Sequence, residues 1–374
     1  VVVGDDEEGK HFERQTQCLA IGDGVDYEKS DVNPIIGADM LPDGASKVDF
    51  RDPKIWKDEN TFYVIVGNRN EDGSGQLLLY SSEDLKQWKY CGVVDKCENR
   101  YGKMWECPDM FPLEGKYVIL TSPQDMCAEG LEFHSGNGTL CLIGDFDKEQ
   151  VKFERETESA IDYGLDFYAS QTTETKDGRR IMIAWMQSWD NYNTPGEFRW
   201  SGQMTVPREL HIKNGRLYQL PVKELENYYA NTVNYKDVIV HEAMELEGVS
   251  GREIDMTIDI QAGDYEEFRI QLAKNQKFYT EISYNAKKGI LTFDRNHAGS
   301  RRDFICQRSM KVESQDGKIR LRVVMDKYSV EIFANDGEKA MTSLIYTPMD
   351  ADKILFKTDG TAYIDIVKHD VVVE

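Results

Sequence analysis

Short apolar runs separated by tight polar turns dominate this chain, and few stretches repeat their apolar residues every 3.6 positions. Residues 76–81, 90–94, 117–121, 139–143, 165–171 and 180–186 each read as one strand. Turn-forming clusters punctuate them, among them Asn70-Glu71-Asp72-Gly73-Ser74-Gly75 and Lys176-Asp177-Gly178-Arg179. Gly, Asn and Asp supply the backbone conformations that such turns demand. Strands this short and this closely spaced predict an all-β fold: a propeller, a barrel or a sandwich.

The pattern changes near residue 221. Val222, Leu225, Tyr228 and Tyr229 fall at helical spacing, so 221–228 is predicted as a short helical linker. Beyond it the alternation sharpens. Ile254, Met256, Ile258 and Ile260 share one face, with Asp255, Thr257 and Asp259 on the other. Leu321, Val323 and Met325, then Val330, Ile332 and Ala334, repeat this around the turn Asp326-Lys327-Tyr328. Strands with one dry and one wet face are best buried as two packed sheets. The expected division is 1–220 as one module, 221–228 as linker and 229–374 as a β-sandwich.

A length of 374 residues supports two separate cores. The formal charge of −22 disfavours a non-specific polyanion binder, and Arg301-Arg302 is too short a basic tract to cradle nucleic acid. No apolar run reaches the length of a membrane span. Neither nucleic acid nor a membrane is therefore expected as a partner. Seven cysteines, at 18, 91, 97, 107, 127, 141 and 306, show neither the even count of a disulfide scaffold nor a CxxC pair for zinc. They predict a reducing, cytoplasmic setting. The six histidines form no HExxH or other cluster, and neither a metal nor a cofactor is expected.

Candidate chemistry lies in two acidic motifs. Asp52 stands in Phe50-Arg51-Asp52-Pro53 and Glu106 in Trp105-Glu106-Cys107-Pro108-Asp109, each ahead of an apolar strand. A carboxylate beside Arg or Trp at such a place suits a polar carbohydrate cleft. Asp-Pro and Cys-Pro also serve as plain rigid turns, because proline fixes its own φ and extends the residue before it. The two acids are 54 residues apart, near the roughly 50-residue length of a kelch-type propeller blade. Both are expected to begin equivalent inner strands that face one channel.

These motifs, with others along the chain, resemble glycoside hydrolase family 32, the invertase, fructanase and sucrose-6-phosphate hydrolase group. Arg14-Gln15-Thr16-Gln17-Cys18-Leu19-Ala20 resembles the family's second-blade segment. Phe50-Arg51-Asp52-Pro53 is similar to its Arg-Asp-Pro motif, and Trp105-Glu106-Cys107 to its Glu-Cys motif. Gly164-Leu165-Asp166-Phe167-Tyr168-Ala169 and Ser201-Gly202-Gln203-Met204-Thr205-Val206-Pro207-Arg208 are also similar, and Ser329-Val330-Glu331-Ile332-Phe333 resembles its C-terminal sandwich.

The resemblance implies a five-bladed β-propeller followed by a β-sandwich, with Glu106 as general acid/base and Asp52 as transition-state stabiliser. It implies retaining hydrolysis of terminal β-D-fructofuranosyl bonds in sucrose, sucrose 6-phosphate or short fructans. Trp105 and a nearby carboxylate are expected to raise the pKa of Glu106, and Arg51 to keep Asp52 ionised and oriented. Arg51, Trp105, Gln124, Asp166 and Tyr168 are expected to contact substrate. Asp166 reads almost equally well as a structural turn carboxylate, and Trp105 and Tyr168 as core aromatics.

One departure stands out. The family's nucleophile is an Asp in a Trp-Met-Asn-Asp-Pro-Asn-Gly-type segment of blade one, and this sequence contains no such segment. Blade one and part of blade two, on the order of 60–80 residues at about 40–50 per blade, are expected upstream. By itself the 374-residue chain is predicted to be inactive. Besides a fructoside, the expected partners are a companion N-terminal segment or a second copy of the chain. A non-catalytic carbohydrate-binding or scaffold protein derived from such hydrolases is the alternative.

Overall fold

The computed structural model describes residues 1–5, 9–191, 194–299 and 304–373; the Arg301-Arg302 pair lies outside them. The described residues are mostly strand and form two compact units. One comprises Val1–Ala128, Ser135–Ser159 and Ala169–Gln171, the other Glu129–His134, Ala160–Tyr168 and Thr172–Glu374.

The first unit is built on two antiparallel meanders. Strands Ala45–Asp58, Thr61–Asn70, Gly75–Ser82 and Lys89–Lys96 pair in chain order. Met104–Leu113, Lys116–Gln124, Leu140–Asp147 and Lys152–Ser159 do the same. The inner strands are apolar almost without alternation because both of their faces are covered. Val64, Ile65, Val66, Leu77, Leu78, Leu79 and Tyr80 are buried, as are Val118, Ile119, Leu120, Leu140 and Leu142.

The strand expected at 165–171 runs instead over Tyr168–Glu174. Local hydrogen bonds explain the shift. Asp162 accepts from the amides of Gly164 and Thr342, and the Asp166 carboxylate accepts from the Leu344 amide. Those bonds hold the backbone ahead of residue 168 away from strand pairing. The segment read as a helical linker is a 3₁₀ turn, Lys223–Tyr228. So short a run makes too few bonds to repay nucleation of an α-helix.

In the second unit, strands Arg180–Met186, Arg208–Lys213 and Arg216–Pro221 pair in sequence. The remainder is a ten-stranded system organised by one long strand, Lys353–Val371. Its first part pairs with Glu267–Lys274 and its second with Ile254–Gln261, while Tyr229–Met244 follows it on the other edge. Outward from these pairings run two wings. One continues through Thr280–Asn285, Ile290–Asp294 and Gln307–Lys311, the other through Lys318–Asp326, Ser329–Ala334 and Lys339–Leu344. Inward residues of both wings join one core: Ile254, Met256, Ile258, Leu321, Val323 and Ile332 with Phe268, Ile270, Ile282, Leu291, Phe293 and Met310. That is sandwich packing, and the alternation read from the sequence faces inward as expected.

A fully buried arginine ties this module to the strands before it. Arg208 donates to Asp162, Glu331, Gln219 and Thr342, and its guanidinium lies 5.1 Å from the Phe167 ring and 4.9 Å from that of Phe333. Every donor of the fork therefore has a partner or a ring face, a requirement for holding a charge away from water.

Candidate active site

Both acidic motifs fold the same way, and the reason is local. Arg51 pairs with Gly67 and Lys54 with Ile65, leaving Asp52 and Pro53 opposite Val66 alone. Glu106 pairs with Ser122 and Asp109 with Leu120, leaving Cys107 and Pro108 opposite Thr121 alone. Each motif is thus a two-against-one β-bulge, of a kind that re-aims side chains beside active sites. The first bulged residue has a left-handed backbone, φ 61° at Asp52 and φ 49° at Cys107. Proline follows in both, and its missing N–H costs nothing where the ladder is already interrupted.

The structural equivalents are therefore Arg51 with Glu106, Asp52 with Cys107 and Lys54 with Asp109, a repeat of 55 residues. Equating Asp52 with Glu106, as the spacing of 54 suggested, is out by one position. The two bulges lie against each other. Arg51 Nε donates to Glu106 Oε1 at 2.8 Å, and Lys54 Nζ lies 3.4 Å from Asp109 Oδ2. Between these ion pairs the Cys107 amide donates to Asp52 Oδ2 at 3.0 Å, with the Cys107 Sγ 3.6 Å from the same oxygen. Gln171 then donates from Nε2 to the Cys107 carbonyl at 3.1 Å.

Arg51 was expected to hold Asp52. The structure puts it on Glu106 instead, because the bulge turns Asp52 toward the Cys107 amide. A second layer fixes Arg51. Its Nη1 donates to Asp49 Oδ1 at 2.9 Å and to Gln15 Oε1 at 3.3 Å, and its Nη2 to Gln124 Oε1 at 3.4 Å. Arg69 holds the other oxygen of Asp49 at 2.8 Å. Burial opposes the charge of Arg51, but the Asp49 and Glu106 carboxylates outweigh it and strengthen its hold on the proton. Burial, then the charges of Asp52 and Glu106, push the Cys107 thiol far above its ordinary value, so it stays protonated.

Arg51, Asp52, Glu106 and Gln124 are thus brought together. The remaining expected contacts sit differently. Trp105 is 0% exposed and donates its indole N–H to the Tyr101 carbonyl, so it supports the first unit from within. Tyr168 is 2% exposed. Asp166 belongs to the second unit, is 0% exposed and is ion-paired with Arg295, the placement of a structural carboxylate. Asp49, Arg69, Gln15 and Gln171 were not singled out as site residues by sequence. Asp49, two positions before Arg51, was the one with a visible signal; the others converge only through the fold.

The model for "Glycosyl hydrolases family 32 N-terminal domain" matches residues 2–221, and that for "Glycosyl hydrolases family 32 C terminal" matches residues 224–372. The chain is 32% identical over 326 residues to a sucrose-6-phosphate hydrolase of Staphylococcus xylosus, covering 86% of this chain and 65% of that protein. It is 31% identical over 358 residues to a sucrose-6-phosphate hydrolase of Escherichia coli, covering 93% and 71%. The chain therefore spans about two thirds of the length of these relatives. A solved GH32 β-fructofuranosidase of Bombyx mori superposes with a TM-score of 0.82 at 28% identity, over 99% of this chain and 75% of that one. Antiparallel meanders followed by a two-sheet module fit a β-propeller and a β-sandwich. On these matches the chain belongs to glycoside hydrolase family 32.

Proposed function

We propose that the complete protein hydrolyses terminal β-D-fructofuranosyl bonds of sucrose, sucrose 6-phosphate or short fructans by retaining double displacement. The observation that carries this reading is the pair of opposed bulges, which gather Asp52, Glu106 and Arg51 in one hydrogen-bonded group. In this mechanism Glu106 protonates the leaving oxygen and, as a carboxylate, then activates water. Arg51 stabilises that carboxylate between the two half-reactions. Asp52, oriented by the Cys107 amide, accepts hydrogen bonds from fructose hydroxyls that strengthen as positive charge develops on the ring. Arg51 and Gln124 complete the polar wall.

The reading takes 1–220 as the catalytic module of a five-bladed propeller, 221–228 as linker and 229–374 as sandwich. A cytoplasmic setting suits seven cysteines that form no disulfide with one another. No described helix is long and apolar enough to cross a membrane. The attacking carboxylate is assigned to no residue of this chain, since none lies in the family's Asn-Asp-Pro setting. The 374-residue chain assayed alone is accordingly expected to release no fructose from sucrose; measurable turnover by protein of verified mass would refute that.

In the complete protein, Glu106→Gln should depress turnover of sucrose by about 10²–10⁴-fold. It should depress turnover far less for a fructoside whose leaving group needs no proton. Equal losses on both substrates would remove Glu106 from the acid/base role.

A further inference from the structure

Four alternating charges run in one chain through the first unit. Arg69 Nη2 lies 2.8 Å from Asp49 Oδ2, Arg51 Nη1 donates to Asp49 Oδ1 at 2.9 Å, and Arg51 Nε donates to Glu106 Oε1 at 2.8 Å. The chemistry proposed above uses Arg51 and Glu106 and leaves Asp49 and Arg69 without a task. Yet the segment that carries Asp49 is built to hold it still. Asn68 is 0% exposed and donates from Nδ2 to the carbonyls of both Asp49 and Ser46, while Gln76 Nε2 holds the Asn68 side chain at 2.8 Å. The Asp49 amide donates to Ser46 Oγ at 3.0 Å. An anion fixed in this way acts on its neighbours without having to rearrange.

The placement has an electrostatic consequence. A guanidinium bonded to a carboxylate favours its ionised form, whereas a general acid must carry a proton when the leaving oxygen needs one. Asp49 draws on the same guanidinium from the other side, so Arg51 can orient Glu106 without fully claiming it as an anion. Arg69 in turn limits how strongly Asp49 pulls. Other groups around Glu106 stand apart from this chain of charges. Asp52 faces the Cys107 amide, the Cys107 thiol stays protonated, and Lys54 pairs with Asp109 one step along. Gln124 and Gln171 reach in from neighbouring strands without charge.

We infer that Asp49 is a positioning residue that sets, through Arg51, the pH at which Glu106 exchanges its proton, with Arg69 as its counterweight. The acid/base role of Glu106 rests on the reading given above; its titration does not. Carbon NMR of the purified 374-residue chain, labelled at the glutamate carboxyls, follows that titration, with Glu106→Gln identifying the signal. Asp49→Asn keeps the oxygen that Arg51 needs and removes the charge. It should lower the Glu106 midpoint by about one pH unit, the usual scale for charges separated by one side chain in a partly wet site. Arg69→Gln removes the opposite charge and should raise the midpoint, by less, because the Arg69 side chain is 44% exposed and screened by salt. Both variants break the same ion pair, so a purely structural role would move them in one direction or not at all. In the complete protein the basic limb of kcat/KM for sucrose should follow the midpoint in each variant while KM holds. Opposite midpoint shifts in a protein that leaves sucrose intact would uphold the role of Asp49 and remove the fructosidase reading alone. An unmoved midpoint in Asp49→Asn, or shifts of one sign in both variants, would overturn the inference, whether or not sucrose is hydrolysed.

Discussion

Arg208, fully buried, and His134, half-buried, show how single charged or titratable groups set the tolerance of the second unit. Arg208 neutralises Asp162 and Glu331 where water does not reach. Arg208→Ala removes the counter-charge from both carboxylates and is expected to cost about 3–5 kcal/mol in chemical denaturation. A loss below about 1 kcal/mol would mean that the cavity left behind admits water to both acids. His134 behaves oppositely. Burial, with Arg308 next in effect, lowers its pKa to about 4 from 6.5, and its Nε2 has no hydrogen-bond partner among the described residues. Between those values the unfolded chain binds a proton that the folded one refuses, so stability falls as pH drops from 6.5 toward about 4 and is flat above. A His134→Gln variant should lose that part of the acid sensitivity, seen as a smaller shift in denaturation midpoint between pH 7 and pH 5. At this scale the sequence pointed to side chains that the fold does bring together. Arg51, Asp52 and Glu106 could be spelled out, yet the partner of Arg51 could not, because partnership depends on a left-handed φ at Asp52 that no neighbouring residue advertises.

Strands were the legible elements. Alternation placed 254–260 and 321–334 facing inward, where the structure has them. What stayed hidden was the register of the bulges, since a two-against-one pairing moves every later side chain by one position without changing composition. The strand at 165–171 was misplaced for a related reason: the hydrogen bonds that hold Asp162 and Asp166 involve Thr342 and Leu344, far away in sequence. Close strand approach gives a further test. A Cβ built on Gly67 would lie 2.1 Å from the Trp105 carbonyl oxygen, between the first strand of one meander and the second of the other. Gly67→Ala must push the Glu106 strand aside. It is expected to lower stability by about 1–3 kcal/mol and, in the complete protein, to reduce kcat more than it raises KM. Wild-type thermal stability in Gly67→Ala would show that this approach is looser than described.

At the scale of the whole chain, the long strand Lys353–Val371 is the piece on which the C-terminal module depends. It pairs with Ile254–Gln261, Glu267–Lys274 and Tyr229–Met244 at once, so removing it takes the shared middle out of both wings. Deleting residues 353–373 is expected to abolish the cooperative unfolding of that module, read as a broad, low-amplitude melting transition. A sharp transition in the shortened chain would show that the wings cohere without it. The same strand sets the order of events at the ribosome. Tyr229 must wait for Val371 and Ile254 for Asp370 before either pairing can form. Until then the nine described strands that precede it in this module leave the exit tunnel with edges that match one another but not yet their proper neighbour. Translation speed upstream of residue 353, and the supply of holding chaperones, should therefore govern the soluble yield of this protein more than its final stability does.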